Sequence, residues 1–100
     1  MPTLYEYFGL IFFFYSKDHL PIHLHVSCAE FENKLEFVYA KGRFVGIKVK
    51  QVKKSKPLPA NKLKEAIKLA TKYEKDISEK WTDFYGKNKK PSLIKITKKI

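Results

Sequence analysis

The hydrophobic period of this chain changes once, and that change constrains the fold more than any other feature. Before Val52, apolar and polar residues alternate, so successive side chains fall on opposite faces of strands. From Ala60 onward, apolar residues recur every three or four positions, the spacing of an amphipathic helix. Between the two regimes lies Lys53-Lys54-Ser55-Lys56-Pro57-Leu58-Pro59, whose cations and two prolines end a sheet. One switch in a chain of 100 residues predicts a single α+β domain. The expected architecture is an antiparallel sheet of four to five strands packed against one long C-terminal helix. Residues 1–52 form a β-meander with a His-rich turn, 60–86 the helix, and 87–100 a basic tail or an edge strand.

Within the first part, Leu4-Tyr5-Glu6-Tyr7-Phe8 reads as a short strand and Gly9 as a break. Leu10 to Tyr15 carries no charge, which suits a strand buried on both faces. This run is far short of the ~20 residues needed to cross a bilayer. It has no basic stretch before it and no small-residue cleavage site after it, so it does not read as a signal peptide. Residues 22–28 alternate, with Ile22, Leu24 and Val26 on one face and His23, His25 and Ser27 on the other. Ala29 to Asn33 reads as a polar turn. Residues 35–40 and 43–50 follow as strands around a Lys41-Gly42 hairpin. In the last strand Val45 sides with Ile47 and Val49, and Phe44 with Lys48 and Lys50.

The helix is traced by Leu63, Ala66, Ile67, Ala70, Tyr73, Ile77, Trp81 and Phe84, with Pro59 in its first turn and Gly86 as C-terminal cap. Trp81 reads as core rather than as a binding platform. A core this small leaves room for help from an oligomer, a homodimer being the simplest.

The formal net charge is +11, and every cation but Arg43 is a lysine. Such a surplus favours an anionic partner: nucleic acid, an acidic protein or a membrane surface. Lysine meets phosphate as a point charge, so backbone contacts should outweigh base reading. Arg43, Lys48, Lys50, Lys53, Lys54 and Lys56 are the candidate phosphate contacts. The plain alternative is a solvated surface, and on the helix Glu65, Glu74, Asp76 and Glu79 already intersperse with lysines. The lone Cys28 excludes an internal disulfide and fits a reducing cytoplasm. By alternation it faces the core as an inert thiol.

The chemistry concentrates in Asp18-His19-Leu20-Pro21-Ile22-His23-Leu24-His25, which holds every histidine of the chain. Three readings stay open. His19, His23 and His25 are the ligand types wanted by zinc or a similar divalent metal, although no C-x-x-C or H-E-x-x-H is present. They could instead act as acid and base on RNA. One imidazole would take the ribose 2′-hydroxyl proton and another would protonate the leaving oxygen, while Asp18 orients a ring and lysines hold the phosphate. In the third reading the histidines make structural hydrogen bonds.

With Asp18-His19-x-Pro21-x-His23-x-His25 in view, the sequence resembles a family of small prokaryotic proteins catalogued as domain of unknown function 4160, whose pattern is D/E-H-N-P-P-H-x-H. The resemblance runs from Met1-Pro2-Thr3 through Gly9 and Tyr15 to Trp81 and Lys90-Pro91-Ser92-Leu93-Ile94-Lys95-Ile96. Leu20 and Ile22 depart from the family's Asn and Pro, and residues 44–58 are longer and more basic than usual. The resemblance implies a gene paired with a second small protein, commonly of the domain of unknown function 2442 type, in a toxin–antitoxin-like arrangement. It implies no catalytic mechanism. The leading expectation is therefore a cytoplasmic toxin–antitoxin-like protein that engages RNA or DNA, a ribonuclease if His19, His23, His25 and Asp18 are catalytic. The alternative is a non-enzymatic module that binds an acidic cognate protein, with structural or metal-binding histidines.

Overall fold

The computed structural model describes residues 2–15 and 20–100. Five strands follow one another in the chain: β1 (Thr3–Tyr7), β2 (Leu10–Phe13), β3 (His23–Cys28), β4 (Phe31–Ala40) and β5 (Arg43–Gln51). Two helices, α1 (Ala60–Lys72) and α2 (Glu74–Lys87), come next, and a short β6 (Ile94–Ile96) closes the fold. The six strands form one sheet in the order β5-β4-β3-β2-β1-β6. All neighbours are antiparallel except β6, which runs parallel to β1. The α+β class is as expected. The expected four to five strands become six because residues 94–96 add an edge strand.

Tight turns make the meander. Phe8 and Gly9 both take positive φ (44° and 86°), as do Lys41 and Gly42 (52° and 78°). Turns of this hand match the right-handed twist of the strands they join. The turn expected over 29–33 contracts to Ala29-Glu30, and β4 begins at Phe31. Phe31, Asn33, Leu35 and Phe37 thereby share one face, and Glu32, Lys34 and Glu36 the other. In β5 the register shifts opposite Val38 and Tyr39. This bulge reverses the simple alternation at its start. Phe44 turns towards Phe37 (ring centroids 5.6 Å apart), and Val45 is left 60 % exposed.

The single expected helix is interrupted at Tyr73, whose backbone (φ −101°, ψ 20°) leaves helical values. The hydrogen-bond ladder nearly survives: Tyr73 N–H donates to the Leu69 carbonyl and its own carbonyl receives Ile77 N–H. Neither proline nor glycine marks the break. Tyr5, reaching up from the sheet, packs on Tyr73 (5.3 Å) and donates its hydroxyl to Asp76, so sheet contacts hold the break and the start of α2. The helix ends at Asn88 in the left-handed region rather than at Gly86, and Lys89 N–H donates to the Asp83 carbonyl. Asparagine tolerates that conformation better than other side chains.

The core lies between one face of the sheet and the helices. Leu4, Tyr5, Tyr7, Phe12, Phe14, Leu24, Val26, Leu35 and Phe37 meet Ala66, Leu69, Ala70, Ile77, Trp81 and Phe84 there. The basic segment between sheet and helix is fastened to the sheet rather than slack. Lys56 bridges to Phe31, Glu32 N–H donates to the Lys56 carbonyl (2.9 Å), and Leu58 N–H donates to the buried Asn33 Oδ1 (2.8 Å). Asn33 Nδ2 donates in turn to the Lys50 carbonyl (3.0 Å), so this one amide ties three segments together. Among the described residues, no helix is long and apolar enough to cross a membrane.

Candidate functional site

The site is built on the sheet face turned away from the core. Residues paired across antiparallel strands project to the same side. Pairing therefore gives one row of Phe13, His25, Lys34 and Lys50, and beside it a row of His23, Glu36 and Lys48. Ser27 and Glu32 belong to the same face one pair further on. The sheet thus places the two described histidines and the two strand-borne candidate lysines on the same side of the sheet. Alternation along each strand fixed that parity, but only the register joins the strands.

Each imidazole is fixed by its Nδ1. His23 Nδ1 lies 2.8 Å from the Pro21 carbonyl. A carbonyl only accepts, so Nδ1 carries the proton, and in the neutral ring Nε2 is the acceptor nitrogen. His25 Nδ1 lies 3.2 Å from Glu32 Oε2, which also accepts the Tyr15 hydroxyl at 2.9 Å. The same logic gives His25 an Nδ1–H that donates to the carboxylate. Two rings two residues apart are thus held in the same tautomer by different acceptors, one neutral and one anionic.

Aromatic contacts complete the setting. His25 stacks on Phe13 (5.6 Å, 21° between planes) and meets the edge of Tyr15 at 4.2 Å. His23 lies 5.5 Å from His25 and 5.1 Å from Trp81. Trp81 also packs edge-on against Phe14, and Tyr85 donates its hydroxyl to the Tyr15 carbonyl. The expectation that Trp81 is core holds, and it also borders the site. His23 and His25 are only 4 % and 5 % exposed.

The surrounding charge is basic but compensated. Glu36 lies 3.2 Å from Lys34 Nζ and 3.8 Å from Lys50 Nζ. Lys48 is exposed on the same face, and Arg43 is exposed at the start of β5. Lys53, Lys54 and Lys56 stand in the fastened segment after β5, with Lys56 Nζ 3.9 Å from Glu30. The six candidate cations therefore divide between one strand and the segment that follows it. Asp18 and His19 lie outside the described residues. Cys28 is half-buried against the core, on the face away from the imidazoles.

Sequence reasoning missed Glu32, Tyr15 and Lys34. Glu32 falls within 29–33, whose sequence reads as a polar turn. Extending the Leu35 and Phe37 alternation back through Asn33 and Phe31 would have put Glu32 on the histidine face. Tyr15 gave no signal beyond being the last aromatic of a hydrophobic run.

A metal ligand would use the Nε2 atoms, since ligating histidines commonly donate their other N–H to a carboxylate or a backbone carbonyl. His23 and His25 have that outer pattern. Among the described residues, no group of three or more His, Cys, Asp or Glu is placed to hold a metal ion.

The sequence profile of the family described as Domain of unknown function (DUF4160) matches residues 9–82. That span takes in β2 to β5, α1 and most of α2, and so the whole histidine face. No curated protein and no solved structure matches the chain.

Proposed function

Because the chain belongs to the domain of unknown function 4160 family, which brings no activity with it, we propose a function from the site itself: an RNA-engaging, toxin–antitoxin-like protein whose histidine face cleaves the RNA backbone. One observation carries this reading. The strand register pairs Lys34 with His25 and sets Lys48 and Lys50 one strand further along the same side of the sheet, while both imidazoles have their Nδ1 atoms committed as donors. Lysines would hold phosphate and stabilise the charge that develops on it. His23 faces a neutral carbonyl and suits the base, with Nε2 taking the 2′-hydroxyl proton. His25 has Glu32 opposite its Nδ1–H to compensate an imidazolium and suits the acid. The 2′-oxygen attacks phosphorus, the bond to the 5′-oxygen breaks, and His25 gives that oxygen its proton. The products are a 2′,3′-cyclic phosphate and a free 5′-hydroxyl. Asp18 and His19 join this proposal on sequence grounds alone.

The test is incubation of a 5′-labelled single-stranded RNA with the parent and with His23→Ala and His25→Ala. Chelator and added zinc are separate arms. Cleavage that ends in cyclic phosphate, resists chelator and fails in both variants is expected. Cleavage lost to chelator and restored by zinc moves the site to metal-assisted hydrolysis. Equal cleavage by parent and variants removes the histidines from the reaction.

A second reading has its own observation. Both histidines are almost fully buried among Phe13, Tyr15 and Trp81, which suits rings that knit β2, β3 and α2 together. On this reading the protein is a non-enzymatic module, and its basic surface docks an acidic cognate protein, such as one of the domain of unknown function 2442 type. Copurification of a stable acidic protein, with no RNA cleavage by the parent, favours it.

A further inference from the structure

The sheet has two edges, and they are not alike. At one end β6 is three residues long, which leaves little backbone to pair. At the other end β5 runs for nine residues, and no described strand is hydrogen-bonded along its outer side. Its outward N–H and C=O groups form an open ladder. Val45 and Val49 stand 60 % and 38 % exposed along it.

Charge decides what could pair there. From Lys41 to Lys64 the sequence holds eight lysines, one arginine and no carboxylate. Two copies of β5 laid side by side would bring together two strands that each carry Arg43, Lys48 and Lys50 and no carboxylate, and strands of like charge repel. The edge therefore selects against its own kind, which guards against aggregation. The same charge attracts an acidic strand. A pairing segment with carboxylates at alternate positions would set them beside Lys48 and Lys50, with its backbone completing the ladder.

We propose that the outer edge of β5 takes an extended, alternately acidic segment of another protein as a seventh strand. The inference gives the second reading above its place and geometry, and rests on that reading. It requires neither imidazole nor any RNA.

The probe is an acetylated, amidated nonapeptide of alternating Glu and Val, with a second peptide of the same sequence N-methylated at every other residue. The N-methyl groups remove backbone donors but leave charge intact. Binding is read by fluorescence anisotropy, and amide hydrogen exchange is followed along β5. The plain peptide is expected to bind and to slow exchange at alternate β5 amides. The methylated one should bind at least about tenfold more weakly, and Arg43→Glu/Lys48→Glu should weaken the plain peptide about as much. Both substituted residues are exposed, so the fold should survive. Equal binding of the two peptides, without exchange protection, overturns strand addition while leaving acidic docking intact. No binding of either peptide overturns both. A dimer of the parent that excludes the peptide, seen by sedimentation, gives the edge to a second copy and overturns the proposal.

Discussion

Two tyrosine–carboxylate pairs sit on opposite faces of the same sheet, and their neighbours give them different work. On the core face Tyr5 donates to Asp76 of α2, and Lys80 closes on the same carboxylate at 3.0 Å. One oxygen of the acceptor takes both a phenol and an ammonium, and the result is a tether between sheet and helix. Tyr7 to Glu65 (3.4 Å) and Tyr39 to Glu74 (2.7 Å) repeat the device along the helices. On the other face Tyr15 donates to Glu32, but the second donor there is His25. An imidazole has proton-transfer chemistry that an ammonium does not offer in that form. The comparison teaches that the phenol–carboxylate pair is generic, and that the third partner, an ammonium on one face and an imidazole on the other, is what distinguishes the two faces.

The widest separation between the faces should come from one large truncation on each. Phe14→Ala, inside the cluster with Trp81, Phe84 and Tyr85, should cost about 3–5 kcal/mol in urea unfolding. His25→Ala should lower RNA cleavage by about 10²- to 10⁴-fold at a denaturant concentration where both proteins stay folded. If His25→Ala unfolds the protein as Phe14→Ala does, while cleavage by its folded fraction is unchanged, the two faces are one scaffold and the comparison breaks.

Asp76→Asn comes next. Burial alone would raise this carboxyl, but the hydrogen bonds from Tyr5 and Lys80 and the Lys80 charge outweigh it and hold the group below its ordinary 3.8. The folded chain then binds the proton more weakly than the unfolded one. The tether's contribution is complete above the ordinary carboxylate range and drains as pH falls through the lower folded value. The substitution should cost about 1 kcal/mol at neutral pH, discounted because the Asp76 side chain is 39 % exposed. It should also flatten the acid limb of a stability–pH curve below pH 4. An unchanged acid limb would assign that loss to other carboxylates.

On the histidine face, Lys48→Ala/Lys50→Ala should weaken RNA binding across sequences. It should reduce the slope of log affinity against log salt by about 1.4, at roughly 0.7 per phosphate contact on a single strand. A slope equal to the parent's would place the phosphate elsewhere.

The smallest effect is expected from Tyr39→Phe. Burial, and then the hydrogen bond to Glu74, push the Tyr39 hydroxyl up to about 12. Its contribution is whole below pH 10 and fades as pH rises towards 12. Tyr5 is raised too, by burial first and by Asp76 second, so part of the alkaline limb will persist in the variant. A thermal melt series between pH 9 and 12 measures the difference.

Much of this architecture was legible in the residues because it is local. Alternation put His23 and His25 opposite Leu24 and Val26, the Lys41-Gly42 pair announced its turn, and the three-four spacing located the helices. Other features came from contacts distant in sequence. Nothing near Tyr73 in sequence marks the break, and the ring packed on it comes from a tyrosine 68 positions away in β1. Asn33 looked like a turn residue because its two partners, Lys50 and Leu58, arrive from elsewhere. Phe44 and Val45 exchanged roles because a bulge is a property of a strand pair and not of one strand.

The sequence by itself determined the class of the fold, the basic charge and the common face of the two strand histidines, since periodicity and composition act residue by residue. Tertiary structure alone decided that Glu32, Tyr15 and Lys50 share that face with them, and that β5 is left at an edge. Both depend on strand register and order. These are set where side chains from remote segments pack together, and no local pattern encodes that.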